Sequence, residues 1–402
     1  MQDIVTIINK LTQSGIQVFL QDDKLRTKSV KGALTPELIA LIKSNKDVII
    51  NQLKSDLHSP AANKHKPISK RKGSQVKTSF AQQRLWFIDQ IDGGSEHYNM
   101  PFILDIKGNF DIAVAEQAFA LVIRRHAPLR TVFINQDSKP LQHVLEQFEF
   151  HLKVEDLRHT DKHEQDIKIA SAIKHDAQKS FDLSTDLMFR AHYLQLQEQQ
   201  GLLLFCLHHI AADGWSIKLL MAEFSHNYKL LQQNKAADLP ALKIEYADYA
   251  YWQYQWIIIE NGLDQQLKYW QQQLYDLPPV HELPLDFDRP QYQTFNGKMF
   301  HFELTESTLI KLKNIALDNQ ASLFMLMHAA FALLIARYAN SHDVVIGTPV
   351  ANRTQKELED IIGFFANTLV LRADCGNNPI FTDFLSQIRN TNLDAQANQD
   401  LP

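Results

Sequence analysis

Cysteine is scarce in this sequence, and the long apolar runs of membrane proteins are missing. Cys206 and Cys375 are the only cysteines among 402 residues, which excludes a disulfide framework and fits a reducing compartment. The longest apolar stretch, residues 323–336, is too short to cross a bilayer and contains His328. The N-terminus carries Asp3 and lacks the hydrophobic region of a signal peptide. We therefore predict a soluble, cytoplasmic protein with no membrane partner.

A strong excess of charge is also missing. The net charge of −5 argues against a polyanion-binding protein. Hydrophobic residues make up 45% of the chain, which is enough for one large core or two ordinary ones. A Gly-x-Ser-x-Gly nucleophile elbow does not occur, and neither cysteine lies in an evident activating constellation. The sequence therefore predicts no nucleic-acid partner and no covalent intermediate on the protein.

The most informative stretch is an apolar run that ends in two histidines. Residues 202–207 are all apolar. Because a half-exposed strand would alternate apolar and polar residues, this run predicts a strand buried on both faces. His208 and His209 follow directly, so the strand is predicted to deliver a histidine into a turn. Adjacent side chains on a strand point to opposite faces, which makes a metal site at this pair unfavourable.

A turn and a helix follow the histidine pair. Asp213 and Gly214 predict a tight turn, and apolar residues at helical spacing begin after Ser216, the predicted N-cap. A histidine near a helix N-terminus can exchange protons near neutral pH, beside backbone amides that stabilise an anion. The pattern therefore favours catalysis, with hydrogen-bonded core histidines as the structural alternative.

Residues 1–55 predict a small separate unit. Apolar periodicity and capping residues give it the order helix, strand, strand, helix, helix, with elements beginning at Ile4, Ile16, Lys24, Thr35 and Ser44. Eight basic and five acidic residues give this unit a net charge of +3. Lys24, Arg26 and Lys28 alternate along the second strand and should share one face. They predict either a docking surface for an acidic extended peptide or protection of an exposed sheet edge from aggregation. A nucleic-acid site is a weaker alternative, because three charges are few for binding a phosphate backbone.

The following residues, 56–77, lose all periodicity. Six basic and no acidic residues lie between Lys64 and Lys77, together with one proline, two serines and a glycine. Such a segment repels itself, which predicts a flexible basic linker. A nucleic-acid or membrane patch is the alternative, but the segment lacks interleaved aromatic residues.

The pattern His208-His209-x-x-x-Asp213-Gly214-Trp215-Ser216 resembles the core motif of an acyltransferase superfamily. This superfamily includes chloramphenicol acetyltransferase, wax ester synthases and the condensation domains of nonribosomal peptide synthetases. Five further segments resemble condensation-domain motifs in the same order, at residues 79–86, 125–133, 246–250, 362–368 and 398–400. One departure is Ala127, where the family usually has glutamate.

By its own pattern the first of these five segments predicts a helix start, and the third is typical of aromatic packing. Residues 312–317 and 323–338 predict helices, the second of them apolar and buried, and residues 344–347 predict a buried strand.

The resemblance implies a fold of the α/β (α+β) class. Residues 1–55 resemble an N-terminal docking domain of the tubulysin-synthetase type, with the order α-β-β-α-α. Residues 56–77 would then link it to two chloramphenicol-acetyltransferase-like lobes, residues 78–250 and 251–402, which form a V with the active site in the tunnel between them. The family's seventh motif is missing, so we expect a truncated second lobe and a fragment of a longer synthetase.

The resemblance also implies roles for single residues. His209 is expected to be catalytic, and Gly214 is expected to bring its backbone amide near the reacting carbonyl. The residues expected to be structural at the active site are His208, Asp213, Arg130, Trp215 and Ser216. Arg130 is expected to form a buried ion pair with Asp213 that fixes the turn carrying His209.

The implied function is amide-bond formation in a nonribosomal peptide synthetase. The amine of an aminoacyl thioester on a downstream carrier protein would attack the acyl thioester on an upstream carrier. No metal or cofactor is expected on this chain, because the 4′-phosphopantetheine arms belong to the carriers. The expected partners are both carriers, the acidic C-terminal tail of an upstream synthetase subunit, and an adenylation domain C-terminal to this fragment.

Other classes of protein share part of the pattern. A coenzyme A-dependent acyltransferase has the histidine motif but would not need a docking domain. An epimerisation domain would normally follow a carrier domain. A non-catalytic recruitment module would not need His209, Asp213 and Gly214 to be intact.

Overall fold

The structure is a computed structural model of the chain. It describes residues 16–21, 24–29, 35–46, 49, 67–71, 76–94, 96–260, 262–291 and 297–402. The chain divides into two compact units, residues 1–66 and residues 67–402.

The first unit contains the predicted hairpin. β1 (Ile16–Gln21) and β2 (Lys24–Ser29) are antiparallel, with Phe19 opposite Arg26. α1 (Pro36–Ser44) begins after a threonine whose hydroxyl oxygen accepts a hydrogen bond from the Leu38 N–H at 3.4 Å. The hairpin and this helix confirm the prediction. The helix predicted from Ile4, and most of the last predicted helix, lie outside the described residues.

The second unit starts within the segment that the sequence predicted as a flexible linker. Ile68 is 6% exposed and packs with Tyr246, and the Arg71 N–H donates to Asp248 Oδ1 at 3.0 Å. β3 (Val76–Lys77) pairs with a strand of the second unit. The prediction of a flexible linker is therefore wrong for these residues, because a single apolar side chain and the backbone N–H groups find distant partners. The other residues of the predicted linker lie outside the described ranges.

α2 (Phe80–Asp92) begins where the sequence predicted a helix start. Ser79 is its N-cap, because its hydroxyl oxygen accepts from the Gln82 N–H while the Gln82 side chain accepts from the Ser79 N–H. The nearby strands β5 (Thr131–Gln136) and β6 (Lys139–Val144) complete a small sheet with the order β3-β6-β5.

A four-stranded sheet carries the histidine pair. Its strands are β4 (Asn99–Lys107), β7 (Lys153–Asp156), β8 (Phe189–Gln197) and β9 (Gln200–His208), in the order β4-β9-β8-β7. The helices on its two faces are α3 (Ile112–Arg125) and α5 (Gly214–Gln232) on one side and α4 (Lys162–Gln178) on the other. Leu203 packs towards the first pair and Leu204 towards α4. This confirms that the apolar run is a strand buried on both faces.

The longer helices and strands after α5 lead into the second lobe. They are α6 (Tyr246–Tyr254), α7 (Asp264–Gln273), α8 (Glu306–Asp318), α9 (Leu323–Ala339), β10 (Asp343–Val350), β11 (Asn367–Asp374) and α10 (Phe381–Ala397). β10 and β11 are antiparallel, and α8, α9 and α10 pack around buried residues such as Val344 and Phe384. The predicted helices and the predicted strand are confirmed, but only Val344 of residues 344–347 is buried. The predicted lobe boundary at residue 250 falls inside α6, which is continuous there.

The apolar run of residues 323–336 lies in α9. Ala329 and Ala332 of this helix are fully buried in the second-lobe core, which confirms the predicted core helix. Within the described ranges, no single helix has both the length and the apolar composition to cross a membrane. Only α8 and α9 together, bent by 100° at their junction, reach that length and composition.

Candidate active site

The histidine pair lies where β9 ends and α5 begins. The N-cap of α5 is Asp213, whose Oδ1 accepts hydrogen bonds from the Ser216 N–H at 2.9 Å and from the Ser216 hydroxyl at 2.8 Å. The prediction of Ser216 as N-cap is therefore wrong by one turn. An aspartate carboxylate accepts from the amide three residues later as readily as a serine hydroxyl does, so the helix starts earlier.

His209 is held at both its backbone and its ring. Its N–H donates to the Tyr98 carbonyl at 2.8 Å, and its Nδ1 lies 2.9 Å from the Ala212 carbonyl oxygen. Because a carbonyl oxygen only accepts, Nδ1 carries the proton, and Nε2 of the neutral ring keeps its lone pair. The ring packs edge-on against Phe364, with the ring centroids 4.8 Å apart. His209 is half-buried, so its ring is held in place without being closed off from solvent.

His208 occupies a different environment. Its side chain is 1% exposed, its Nδ1 accepts from the Ile210 N–H at 3.1 Å, and its ring packs against Phe181 and Tyr98. Burial, assisted by the neighbouring His209 and by a nearby arginine, lowers the pKa of His208 to about 3. The ring is therefore neutral at physiological pH and takes the opposite tautomer to His209. These contacts support the structural role expected for it.

The partner of Asp213 is Arg353, and the expected pair with Arg130 is wrong. Arg353 Nη2 lies 3.1 Å from Asp213 Oδ1 and 3.4 Å from Oδ2, and both side chains are at most 3% exposed. The guanidinium also donates to the Leu358 and Ile361 carbonyls. Burial lowers the pKa of Arg353, and the Asp213 carboxylate opposes this shift. This is a buried pair with most of its hydrogen bonds satisfied.

Arg130 has another role. Its guanidinium donates to the Leu145 carbonyl at 2.6 Å and to the Arg124 carbonyl at 3.3 Å, so it fixes the turn between α3 and β5. Arg353 follows the strand predicted at residues 344–347 by six positions, and the sequence predicted no role for it. Nothing in the local pattern connects it with a carboxylate 140 residues earlier.

The start of α5 is bound to one irregular segment, residues 351–366, which we name the support loop. The Gly363 N–H donates to the Ser216 hydroxyl oxygen at 3.1 Å, and the Phe365 N–H donates to Asp213 Oδ2 at 3.2 Å. The Trp215 indole N–H donates to the Glu359 carbonyl at 3.0 Å. The contacts support the structural roles expected for Asp213, Trp215 and Ser216.

Tyr246 joins three of the matched segments. Its hydroxyl lies 2.7 Å from Ser79 Oγ and donates to the Phe364 carbonyl at 2.5 Å. Complete burial raises the pKa of Tyr246 well above its usual value, so the hydroxyl stays protonated. The sequence predicted only aromatic packing here. A hydroxyl that bridges distant segments leaves no local pattern, which is why it was missed.

Gly214 is the first residue of α5 and is exposed. A Cβ built on it would meet no heavy atom of the described residues within 4 Å. Tight packing therefore does not explain the glycine, which instead leaves open space at the first turn, where helix amides have no intrahelical partner. Within the described ranges, no group of three or more His, Cys, Asp or Glu side chains could hold a metal ion.

The predicted docking residues lie on β2. Lys24, Arg26 and Lys28 occupy alternate positions, opposite Gln21, Phe19 and Gln17 of β1. The backbone thus has the expected alternation. The binding of an acidic peptide by these residues stays a prediction.

The sequence matches the family model of the condensation domain over residues 73–402 and that of the TubC N-terminal docking domain over residues 4–55. One of the subunits of linear gramicidin synthase from Brevibacillus parabrevis is 39% identical over 324 residues, which make up 81% of this chain and 6% of that protein. The chain therefore spans a small part of the length of this relative.

Solved structures have the same fold. The cyclization-docking bidomain of the EpoB nonribosomal peptide synthetase from Sorangium cellulosum has a TM-score of 0.72 at 20% identity, over 99% of this chain and 78% of that one. The first condensation domain of the CDA synthetase has a TM-score of 0.67 at 18% identity, over 82% of this chain and 78% of that one. These likenesses confirm the fold class with its chloramphenicol-acetyltransferase-like lobes. This chain belongs to the condensation-domain family of nonribosomal peptide synthetases, and a TubC-type docking domain precedes the condensation domain.

Proposed function

We propose that this chain forms an amide bond between two carrier-bound substrates. The observation that carries the proposal is the geometry of His209, whose Nδ1 is committed to the Ala212 carbonyl and whose Nε2 is left with a lone pair beside the first turn of α5. An acyl thioester is already activated, so holding the acceptor amine in attack geometry can supply much of the rate.

The proposed reaction uses groups that this site provides. The acceptor nitrogen forms a bond to the thioester carbon, the carbon–sulfur bond breaks, and the thiol of the upstream carrier's arm leaves. In one form of the step, His209 Nε2 takes the proton from the attacking amine and passes it to the departing sulfur. In the other, this proton moves directly to the sulfur, while protonated His209 donates a hydrogen bond to the oxygen of the tetrahedral intermediate. In this proposal the Gly214 amide stabilises the same oxygen, and the open space where a Cβ would be leaves room for the arm.

The substrates and partners in this proposal are supplied by other domains. The upstream and downstream carriers bring their 4′-phosphopantetheine arms, and an adenylation domain loads the acceptor amino acid. The docking domain receives the acidic C-terminal tail of an upstream synthetase protein as an added strand beside β2, where Lys24, Arg26 and Lys28 alternate. Backbone pairing would give the register and the charges the preference for an acidic tail.

The test supplies the chain with an acyl-loaded donor carrier and an aminoacyl-loaded acceptor carrier, and follows product on the acceptor by intact mass. We expect His209→Ala to lose most of the product, whereas His151→Ala, on an exposed side chain remote in sequence from the motif, should not. Equal inactivity of the native chain and His209→Ala, with carriers still bound, would favour the recruitment module. Equal turnover with an acyl-coenzyme A donor would favour the coenzyme A-dependent class.

A further inference from the structure

A buried carboxylate lies on α5 well away from the histidine motif. Glu223 Oε1 accepts from Arg125 Nε at 3.0 Å, and Glu223 Oε2 lies 2.8 Å from His126 Nε2. The His126 side chain is completely buried and that of Glu223 is 13% exposed. Glu223 is ten residues beyond the N-cap Asp213, or about 15 Å along the helix. Neither residue contacts the reacting groups, so their arrangement needs another explanation.

The other ring nitrogen of His126 faces the support loop. The Ile362 N–H donates to His126 Nδ1 in a long hydrogen bond of 3.5 Å. Because Nδ1 accepts, Nε2 carries the proton and donates it to Glu223. Burial opposes the charge on Glu223, but the hydrogen bonds from His126 and Arg125 outweigh it and lower its pKa. The ionised carboxylate therefore fixes the one tautomer of His126 that can accept from the loop.

Ile362 belongs to the part of the support loop that contacts the active site. The next residues bind Ser216 and Asp213 through their backbone N–H groups, and the ring of Phe364 packs on His209. His126 thus anchors the loop two residues before the ring that bounds the catalytic histidine. A shift of this anchor would be passed to Phe364 over a very short length of chain.

The backbone of His126 leads to the other side of the site. The Leu129 N–H donates to the His126 carbonyl at 3.1 Å, the Met188 N–H to the Leu129 carbonyl at 2.9 Å, and the His208 N–H to the Met188 carbonyl at 3.2 Å. His126 is therefore connected both to the support loop and to the end of β9. The first carries Phe364, whose ring packs on His209, and the second is the strand that His209 follows.

We propose that Glu223 and His126 form a positioning pair that sets the support loop and, through Phe364, the orientation of the His209 ring. This rests on the proposed catalytic role of His209. Arg125 supplies a matched control, because it binds the other oxygen of the same carboxylate but otherwise donates to the Pro240 carbonyl, away from the loop. The hydrogen bond of Glu223 to His126 and its hydrogen bond to Arg125 can thus be removed separately.

The experiment measures condensation kinetics for His126→Phe and Arg125→Gln, with Glu223→Gln as a milder variant. We expect His126→Phe to lower kcat roughly tenfold with little change in KM for either carrier, because a misplaced group costs rate more than binding. Glu223→Gln should lower kcat less, and Arg125→Gln should leave it unchanged even where it lowers stability. Equal losses in His126→Phe and Arg125→Gln would overturn the proposal.

A second readout does not depend on turnover. The ¹⁵N signals of the His209 ring, assigned by comparison with His209→Gln, report its tautomer and surroundings in the chain without carriers. We expect them to move in His126→Phe and Glu223→Gln but not in Arg125→Gln. If the native chain forms no amide and the signals still move, the proposed function fails while the positioning pair stands; unmoved signals overturn the pair.

Discussion

Two segments contribute to the candidate site in different ways: residues 208–216, which we call the first segment, and the support loop. The first segment is a regular strand, turn and helix start, and its side chains are mostly held by near neighbours. The support loop has one short 3₁₀ turn, Lys356–Leu358, and begins beside Asn352, which has a left-handed φ of 50°. Yet this irregular segment provides the partners of Asp213 and Ser216 across 137 to 152 residues of sequence. The proposed catalytic histidine follows a regular strand, and the long-range partners of its turn come from a loop.

The comparison shows why both segments are needed. The end of β9 and the start of α5 fix the backbone of the turn that carries His209. The same turn carries the buried carboxylate of Asp213, which needs a countercharge. The support loop supplies it in Arg353, and the same loop supplies Phe364 against the His209 ring. An irregular backbone suits this task because it can turn several N–H groups and side chains towards one point.

The largest effect should come from removing the charge that the support loop supplies. Arg353→Met leaves the Asp213 carboxylate buried without its countercharge, and we expect it to lower the free energy of unfolding by about 3–5 kcal/mol. Arg130→Met is the matched control, because Arg130 donates only to carbonyls at a partly exposed position. It should cost about 1–2 kcal/mol. Urea denaturation of both variants measures the difference.

A double variant tests the physical reason for that loss. Asp213→Asn combined with Arg353→Met removes both charges, so it should be more stable than Arg353→Met alone. Equal stability of the single and double variants would mean that lost packing, and not the unpaired carboxylate, causes the effect. Equal losses in Arg353→Met and Arg130→Met would remove the distinction between the two arginines.

The next effect concerns the first segment and depends on pH. The unfolded chain protonates His208 near pH 6.5, whereas the folded chain does so only near pH 3. Between these values the unfolded state binds more protons, so stability from this group is present above pH 6.5 and falls as pH falls, by up to about 1.4 kcal/mol per pH unit. His208→Asn keeps an acceptor for the Ile210 N–H but does not titrate. It should flatten the dependence of stability between pH 6.5 and 5.

The control for this measurement is His151→Asn, at a side chain that is 78% exposed. It should leave the slope of stability against pH as it is in the native chain. Urea denaturation at several pH values, with Tm as a second readout, supplies the data. An unchanged slope in His208→Asn would show that His208 is not held neutral by burial.

The sequence predicted the first segment far better than the support loop, because the contacts of the first segment that were predicted join residues that are close in sequence. The apolar run before His208, the helix after Gly214 and the start of α2 at Ser79 each follow from residues within a few positions. Arg353, by contrast, meets Asp213 only after the chain has returned through β10. The resemblance named the wrong arginine because no local pattern distinguishes a countercharge for Asp213 from an arginine that fixes a turn.

The same distinction explains the other errors. Composition describes residues 67–71 as basic and unstructured, but Ile68 packs in a core formed by residues far along the chain, and the Arg71 N–H binds Asp248. Aromatic packing was expected around Tyr246, but its hydroxyl bridge to Ser79 and Phe364 depends on three segments meeting. Long-range polar contacts are thus the part of this site that a single sequence does not reveal.

The smallest expected effect is at the exposed contact between the two segments. The Trp215 side chain is 42% exposed, and its indole N–H donates to the Glu359 carbonyl. In Trp215→Phe this carbonyl can bind water instead, so we expect a loss of only about 0.5–1.5 kcal/mol. Trp270→Phe is the buried counterpart, because the Trp270 indole donates to the Asn398 carbonyl at 2.7 Å in a residue that is 7% exposed. It should cost more, since its acceptor has less access to water. Urea denaturation compares the two, and equal losses would mean that Trp215 holds the support loop as firmly as the buried contacts do.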